Sequence, residues 1–227
     1  MTIAQAPQQR RKSERRRSIF ALACIALAVG LSLAAIYGPA YWRYASYEPR
    51  EGDVIFQSLP RGPLVNAIEG ATHSPWSHCG IVGRDSDGRW IVYEALNGVE
   101  ATPLKQFVSR SRNEQYAIYR WKEPYQEHVP AILAATRRYL GRPYDSRYRW
   151  DDEAIYCSEL VYKAFLTATG EKAGELVALA DLDWQGYRSL IEQLEGGPVP
   201  VDRRMITPRD LADAHQLELV MHFERSR

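Results

Sequence analysis

Ser77-His78-Cys79-Gly80-Ile81-Val82, Trp90-Ile91-Val92-Tyr93-Glu94-Ala95 and, sixty residues on, Ile155-Tyr156-Cys157-Ser158-Glu159-Leu160-Val161 decide how this chain reads. The first two runs are apolar strands on either side of Asp85-Ser86-Asp87-Gly88, the turn chemistry of a hairpin. The third opens a helix from about Cys157 to Ala168, in which Leu160, Val161, Ala164 and Phe165 form one apolar stripe before Gly170 stops it. Outward from these, Val54-Ile55-Phe56 and Tyr116-Ala117-Ile118-Tyr119 are further strands, with a turn over Leu59 to Pro63. A helix begins near Pro130, with Ile132, Leu133, Thr136 and Leu140 on one side and Gly141 at its end. Residues 171–197 read as a further helical segment, either a peripheral helix or a wall or lid of a substrate pocket, closed by Gly196-Gly197-Pro198-Val199-Pro200. Thr207-Pro208-Arg209-Asp210-Leu211 looks like a capped helix start, and Leu217 to Phe223 a last strand. Strands first and helices later favour an α+β domain with an antiparallel sheet over an alternating parallel one.

The 227 residues are 45% hydrophobic and 25% charged, which sets aside disordered and coiled-coil classes. The formal charge is +1, unevenly spread: residues 1–17 hold six Lys and Arg against Glu14, a surplus of +5, and the rest of the chain carries −4. A mildly acidic body argues against nucleic-acid binding, which needs a dense basic face. Residues 18–37 contain no charge and, as a helix of about 30 Å, match the hydrocarbon thickness of a bilayer. Basic residues flank this run on one side, and Tyr37, Tyr41, Trp42, Tyr44 and Tyr47 end and follow it. The positive-inside rule and the aromatic belt then place the body outside the cytoplasm. The expected organisation is a basic cytoplasmic tail over 1–17, a transmembrane anchor over 18–37, a linker over 38–50 and one domain over 51–227. The rival is a cleaved signal peptide, for which Gly38-Pro39-Ala40 offers small residues.

The body holds two cysteines. Cys157 stands at a helix N-terminus, where unsatisfied amides and the helix dipole favour a thiolate and could also receive an oxyanion. The alternatives are an inert buried thiol and a disulfide with Cys79. A thiol nucleophile needs a base, and among His73, His78, His128, His215 and His222 the strand-mouth position of His78 is best placed. Hairpin parity then selects an acid to hold the imidazole. A loop of five residues puts Glu94 opposite His78, and a loop of three leaves it a same-face diagonal neighbour; loops of two or four put the pair on opposite faces. Strand alternation turns Cys79 away from the cleft. No C-x-x-C or close His pair points to a metal, and none is expected.

Taken in order, His78-Cys79-Gly80-Ile81-Val82, Val92-Tyr93-Glu94-Ala95, Gly141-Arg142-Pro143-Tyr144-Asp145 and Tyr156-Cys157-Ser158-Glu159-Leu160-Val161 resemble the YiiX-like branch of circularly permuted papain-like (NlpC-type) hydrolases. Gly52-Asp53-Val54-Ile55-Phe56 and Ile206-Thr207-Pro208 look like it too, so the resemblance spans roughly residues 51–220. Histidine precedes cysteine here, as the permutation implies. The resemblance implies a permuted papain-like fold, Cys157 as nucleophile, His78 as general base and acid, Glu94 as the residue orienting the ring, and Tyr144 as a hydroxyl for the oxyanion or the substrate. It offers cell-wall peptides or lipid acyl groups as substrates.

The expected protein is a cofactor-free thiol hydrolase, anchored singly in a bacterial inner membrane with its domain on the periplasmic side. It would cut an amide or ester through an acyl-enzyme. Two other readings stay open: a catalytically silent binding module of the same fold, and an acyltransferase using the same thioester. The chain does not specify an oligomeric state.

Overall fold

A computed structural model describes residues 47–224. All the strands and helices named below lie in one compact unit that begins at Pro49. The expected tail, anchor and nearly all of the linker lie outside the described residues, among which no helix is long and apolar enough to cross a membrane.

Six strands form one antiparallel sheet: β1 (Val54–Gln57), β2 (His78–Arg84), β3 (Trp90–Ala95), β4 (Val99–Pro103), β5 (Tyr116–Trp121) and β8 (Leu217–Phe223), in the order β4-β3-β2-β1-β5-β8. Strands β6 (Val177–Ala178) and β7 (Arg204–Met205) pair separately. The helices are α1 (Pro63–Thr72), α2 (Leu104–Ser109), α3 (Val129–Arg137), α4 (Cys157–Thr169), α5 (Arg188–Glu195) and α6 (Pro208–Ala212). This is the α+β architecture, antiparallel sheet against helices, that the strand-then-helix order predicts.

Period-2 alternation sorts the central strands. Val54 and Phe56 of β1, Cys79 and Ile81 of β2, and Ile91 and Tyr93 of β3 share one apolar face with Leu133 of α3 and with Val161 and Phe165 of α4. Trp121 closes that layer, its ring stacked on Phe165 at 4.4 Å. At the far end of β1, Asp53 is buried and held by both arms of Arg120, at 2.7 and 2.8 Å, a bidentate pair tying β1 to β5.

Helix α4 is buried from Cys157 to Phe165 and ends, as its sequence predicts, on left-handed Gly170, whose N–H donates to the Leu166 carbonyl. Its N-terminus is fixed from both sides. Glu159 reaches back to the Tyr156 N–H, and Lys163 binds Glu159, Asp152 and the Asp151 carbonyl. Lys163 therefore clamps the loop that leads into Cys157.

Two expectations change. Residues 171–197 are not one helix: they comprise β6, two single 3₁₀ turns and the short α5, with left-handed Gly174 (φ +78) ahead of β6 and extended backbone at Ala178 and Leu182 on either side of the first turn. The helix starting near Pro130 ends at Arg137, leaving Leu140 exposed in the turn before Gly141.

The hairpin register pairs Gly80 with Glu94 and Arg84 with Trp90, the geometry of the three-residue Ser86–Gly88 loop. His78 and Glu94 thus share a face. Gly80 leaves no room for a side chain, since a Cβ there would lie 2.5 Å from Val92 Cγ1 and 2.6 Å from the Tyr93 carbonyl oxygen. Gly80→Ala is expected to destabilise the domain by about 1–3 kcal/mol through overpacking, read from the midpoint of chemical denaturation.

Candidate active site

The first residue of β2 and the first residue of α4 meet at one point. His78 Nε2 lies 2.5 Å from Glu94 Oε2, and the same imidazole is hydrogen-bonded to Cys157. All three are buried: His78 and Cys157 are 2% exposed and Glu94 0%. None of the other histidines joins them. His73 pairs with Asp183 at the surface, His128 lies beside Glu127, His222 packs its ring on Trp76, and His215 offers its carbonyl to Lys122.

Electrostatics favour an ion pair between sulfur and ring. Burial by itself would lower the pKa of His78, but the Cys157 charge and hydrogen bond, together with Glu94, outweigh it and raise the pKa to about 9. The Cys157 thiol moves the other way, well below its ordinary range. The hydrogen bond from the Cys79 side chain is the largest cause; burial opposes it, and the His78 charge and the Cys79 backbone N–H assist it. Glu94 is lowered despite its burial, through its hydrogen bond to His78 and through Thr102 and Arg110.

Cys79 departs from the sequence expectation. Strand alternation predicts that it turns from the cleft, yet it donates to the Cys157 sulfur. Alternation itself holds: Cys79 lies on the sheet face against which α4 packs, so the helix N-terminus comes down beside it. Both cysteines are free, and no disulfide joins them. Burial first, then the neighbouring Cys157, holds the Cys79 thiol well above its ordinary range and keeps it a neutral donor.

Behind the acid stands a support that sequence reasoning missed. Arg110, just past α2, forms an ion pair with Glu94, and Phe107 of the same helix stacks on the His78 ring at 5.6 Å. Assigned with its amide nitrogen toward acceptors and its oxygen toward donors, Gln57 accepts from Arg110 Nε at 3.2 Å and donates to the Phe107 carbonyl at 2.9 Å. Gln57 is fully buried and pairs with His78 across β1 and β2. A glutamine directly after the apolar run Val54-Ile55-Phe56 was the available signal; the role of Arg110 depends on a helix that the sequence pattern does not announce.

Tyr144 lies on the approach to α4, bridged to Ile155, with its hydroxyl 3.1 Å from that of Tyr148. Burial raises both phenols far above their usual range, and the Cys157 charge adds to it. Both remain protonated. Tyr148 has a left-handed backbone, φ 55, in a loop where Asp145 accepts from the Arg147 and Arg149 N–H groups. Among the described residues no group of three or more His, Cys, Asp or Glu side chains could hold a metal ion. His78 Nε2 is committed to Glu94.

Six strands with the histidine hairpin ahead of the cysteine helix define a papain-like fold in permuted order. Residues 48–221 match the permuted papain-like amidase family YaeF/YiiX, C92, and the chain belongs to it. YiiX of Escherichia coli strain K12 is 34% identical over 179 residues, 77% of this chain and 87% of that one. The crystal structure described as metalloprotein YiiX of Escherichia coli O157:H7 superposes with a TM-score of 0.73 at 31% identity, covering 78% of this chain and 99% of that one.

The ion pair has a defined pH window. It forms above the depressed thiol pKa and dissolves as pH rises through about 9, where His78 loses its proton; the stability that the raised histidine pKa adds is lost over the same rise. Alkylation by iodoacetamide, mapped to Cys157 by peptide mass spectrometry, should therefore proceed at neutral pH and below. His78→Ala and Cys79→Ala should each move its onset toward ordinary thiol pH; an unmoved onset in both would contradict the assignment.

Proposed function

We propose that this domain is a cysteine hydrolase acting on an amide or ester, with Cys157 as nucleophile, His78 as general acid and base, and Glu94 as the positioning carboxylate. The observation that carries the reading is the contact of Cys157 with an imidazole whose other side is fixed at 2.5 Å by a buried carboxylate. The Cys157 thiolate adds to the substrate carbonyl, forming an S–C bond and a tetrahedral oxyanion. First-turn amides of α4 and the Tyr144 hydroxyl are the donors that could receive the negative charge. As the carbonyl re-forms, the bond to the leaving amine or alcohol breaks and His78 supplies its proton. Water then gives a proton to His78 and its oxygen to the acyl carbon, expelling the thiolate. The acid leaves, and the ion pair is restored.

Cys79 fits this cycle as a neutral donor that helps keep the resting sulfur ionised. Three supports for His78 come from outside the triad: Phe107 limits ring rotation, Arg110 holds Glu94, and Gln57 holds Arg110. We also propose that the basic 1–17 and apolar 18–37 segments anchor the domain to a bacterial inner membrane on its outer side. Amidase chemistry is the description the family carries.

With 4-nitrophenyl acetate as probe, Cys157→Ala should abolish turnover and Glu94→Gln should lower kcat by about 10²–10⁴-fold. Because Glu94 raises the His78 pKa, Glu94→Gln should also shift the alkaline limb of the pH–rate profile below about 9. Turnover surviving Cys157→Ala would end the proposal.

A further inference from the structure

Two thiols from distant parts of the chain meet at the site. Cys79, on β2, and Cys157, the first residue of α4, are both free and both buried, at 0% and 2% exposure. They belong to the same apolar cluster between sheet and helix. Their contact is double, since the Cys79 side chain and the Cys79 backbone N–H both donate to the Cys157 sulfur. The proposed hydrolytic cycle uses one of these sulfurs as nucleophile and asks of the other only a hydrogen bond. A serine hydroxyl would donate as well. What a second cysteine adds is an oxidisable sulfur set against the first.

The pair is chemically unequal. Cys157 is drawn toward the thiolate, the form that attacks peroxides, whereas burial and the Cys157 charge hold Cys79 neutral. Oxidation therefore begins at Cys157. Hydrogen peroxide is little larger than water, and water must reach the acyl group on this sulfur for hydrolysis, so one entrance serves both. Once Cys157 loses its negative charge, one of the influences that keep Cys79 protonated is gone. The third cysteine of the chain, Cys24, belongs to the apolar 18–37 run and lies outside the described residues.

We infer that Cys157 is a site of reversible oxidation by peroxides, with Cys79 as the resolving residue, and that joining the two sulfurs switches the domain off. In the first step the Cys157 sulfur attacks one peroxide oxygen and the O–O bond breaks. The sulfur gives up two electrons and becomes a sulfenic acid, while the departing hydroxide takes the His78 proton and leaves as water. In the second step the Cys79 sulfur attacks the sulfenic sulfur, an S–S bond forms, and the hydroxyl leaves with the Cys79 proton as a second water. A dithiol reductant reverses the state by exchange and is itself oxidised to a disulfide. The nucleophile is masked in the oxidised form and spared further oxidation to the sulfinic acid. This goes beyond the hydrolase reading, because it requires the two sulfurs and not turnover.

The test treats the full-length chain with hydrogen peroxide, stops the reaction with acid, blocks remaining thiols with N-ethylmaleimide in denaturant and maps the peptides by mass spectrometry. The expected product is a Cys79–Cys157 cross-linked peptide that dithiothreitol dissolves, returning both thiols. In Cys79→Ser and Cys79→Ala, Cys157 should instead give a dimedone adduct and then the sulfinic acid. At a peroxide dose that consumes the Cys157 thiol, its recovery by dithiothreitol should fall about tenfold or more in both variants. Circular dichroism checks that they fold, and the wild-type cross-link is decisive without them. Hydrolysis of 4-nitrophenyl acetate should fall and return with the disulfide. If the cross-link forms in a chain that hydrolyses no ester, the hydrolase reading fails and the oxidation site stands. Sulfinic acid at wild-type Cys157 with no cross-link, or equal thiol recovery with and without Cys79, would overturn the inference.

Discussion

The proposed chemistry depends on keeping a thiolate at Cys157 and an imidazolium at His78 together out of water. A lone buried charge is costly, and burial alone would drive both groups to their neutral forms. Their mutual attraction reverses that, and the reversal is stabilised from both sides. Cys79 donates to the sulfur, and Glu94 binds the ring while Arg110 compensates the carboxylate. Removing one partner exposes the others to an uncompensated charge, so these residues form one electrostatic unit rather than a set of separate contacts.

Geometry makes that unit possible. Gly80 lets β3 approach closely enough for Glu94 to reach diagonally to His78, and α4 brings its first residue down onto the face carrying Cys79. Lys163, twelve residues from Asp151 and eleven from Asp152, ties the entry of the helix to the helix itself. The position of Cys157 is therefore fixed by the folded loop as well as by the helix.

Much of this was legible in the sequence because it rests on short-range periodicity. Strand parity restricted which acid could accompany His78, and the Cys157-to-Gly170 stripe specified a helix with both its ends. Three things go unread in the sequence pattern. Helix α1 follows a turn and contains Gly70, yet its Leu64, Ala67, Ile68 and Ala71 spacing and Pro63 at its start were usable signals. Helix α2 has only six residues, and without it neither Phe107 nor Arg110 could be placed. Cys79 was assigned to the correct face of its strand, but which face the helix would cover is a tertiary fact. Alternation orders side chains without saying what packs on them. The long helical reading of 171–197 failed for a related reason: its apolar residues serve several short pieces.

β8 is the last strand of the chain and covers the outer edge of β5, whereas β1 to β5 and the Cys157 helix all precede it. Until β8 pairs, a row of β5 backbone groups lacks its neighbour, although His78 and Cys157 both belong to the part of the chain that precedes it. Once paired, β8 is itself the outer edge of the sheet, where the exposed Glu218 and His222 are polar side chains of the kind that discourage further pairing. The polar side chains of β8 thus shield the sheet from edge-to-edge association, a task separate from the chemistry of the site.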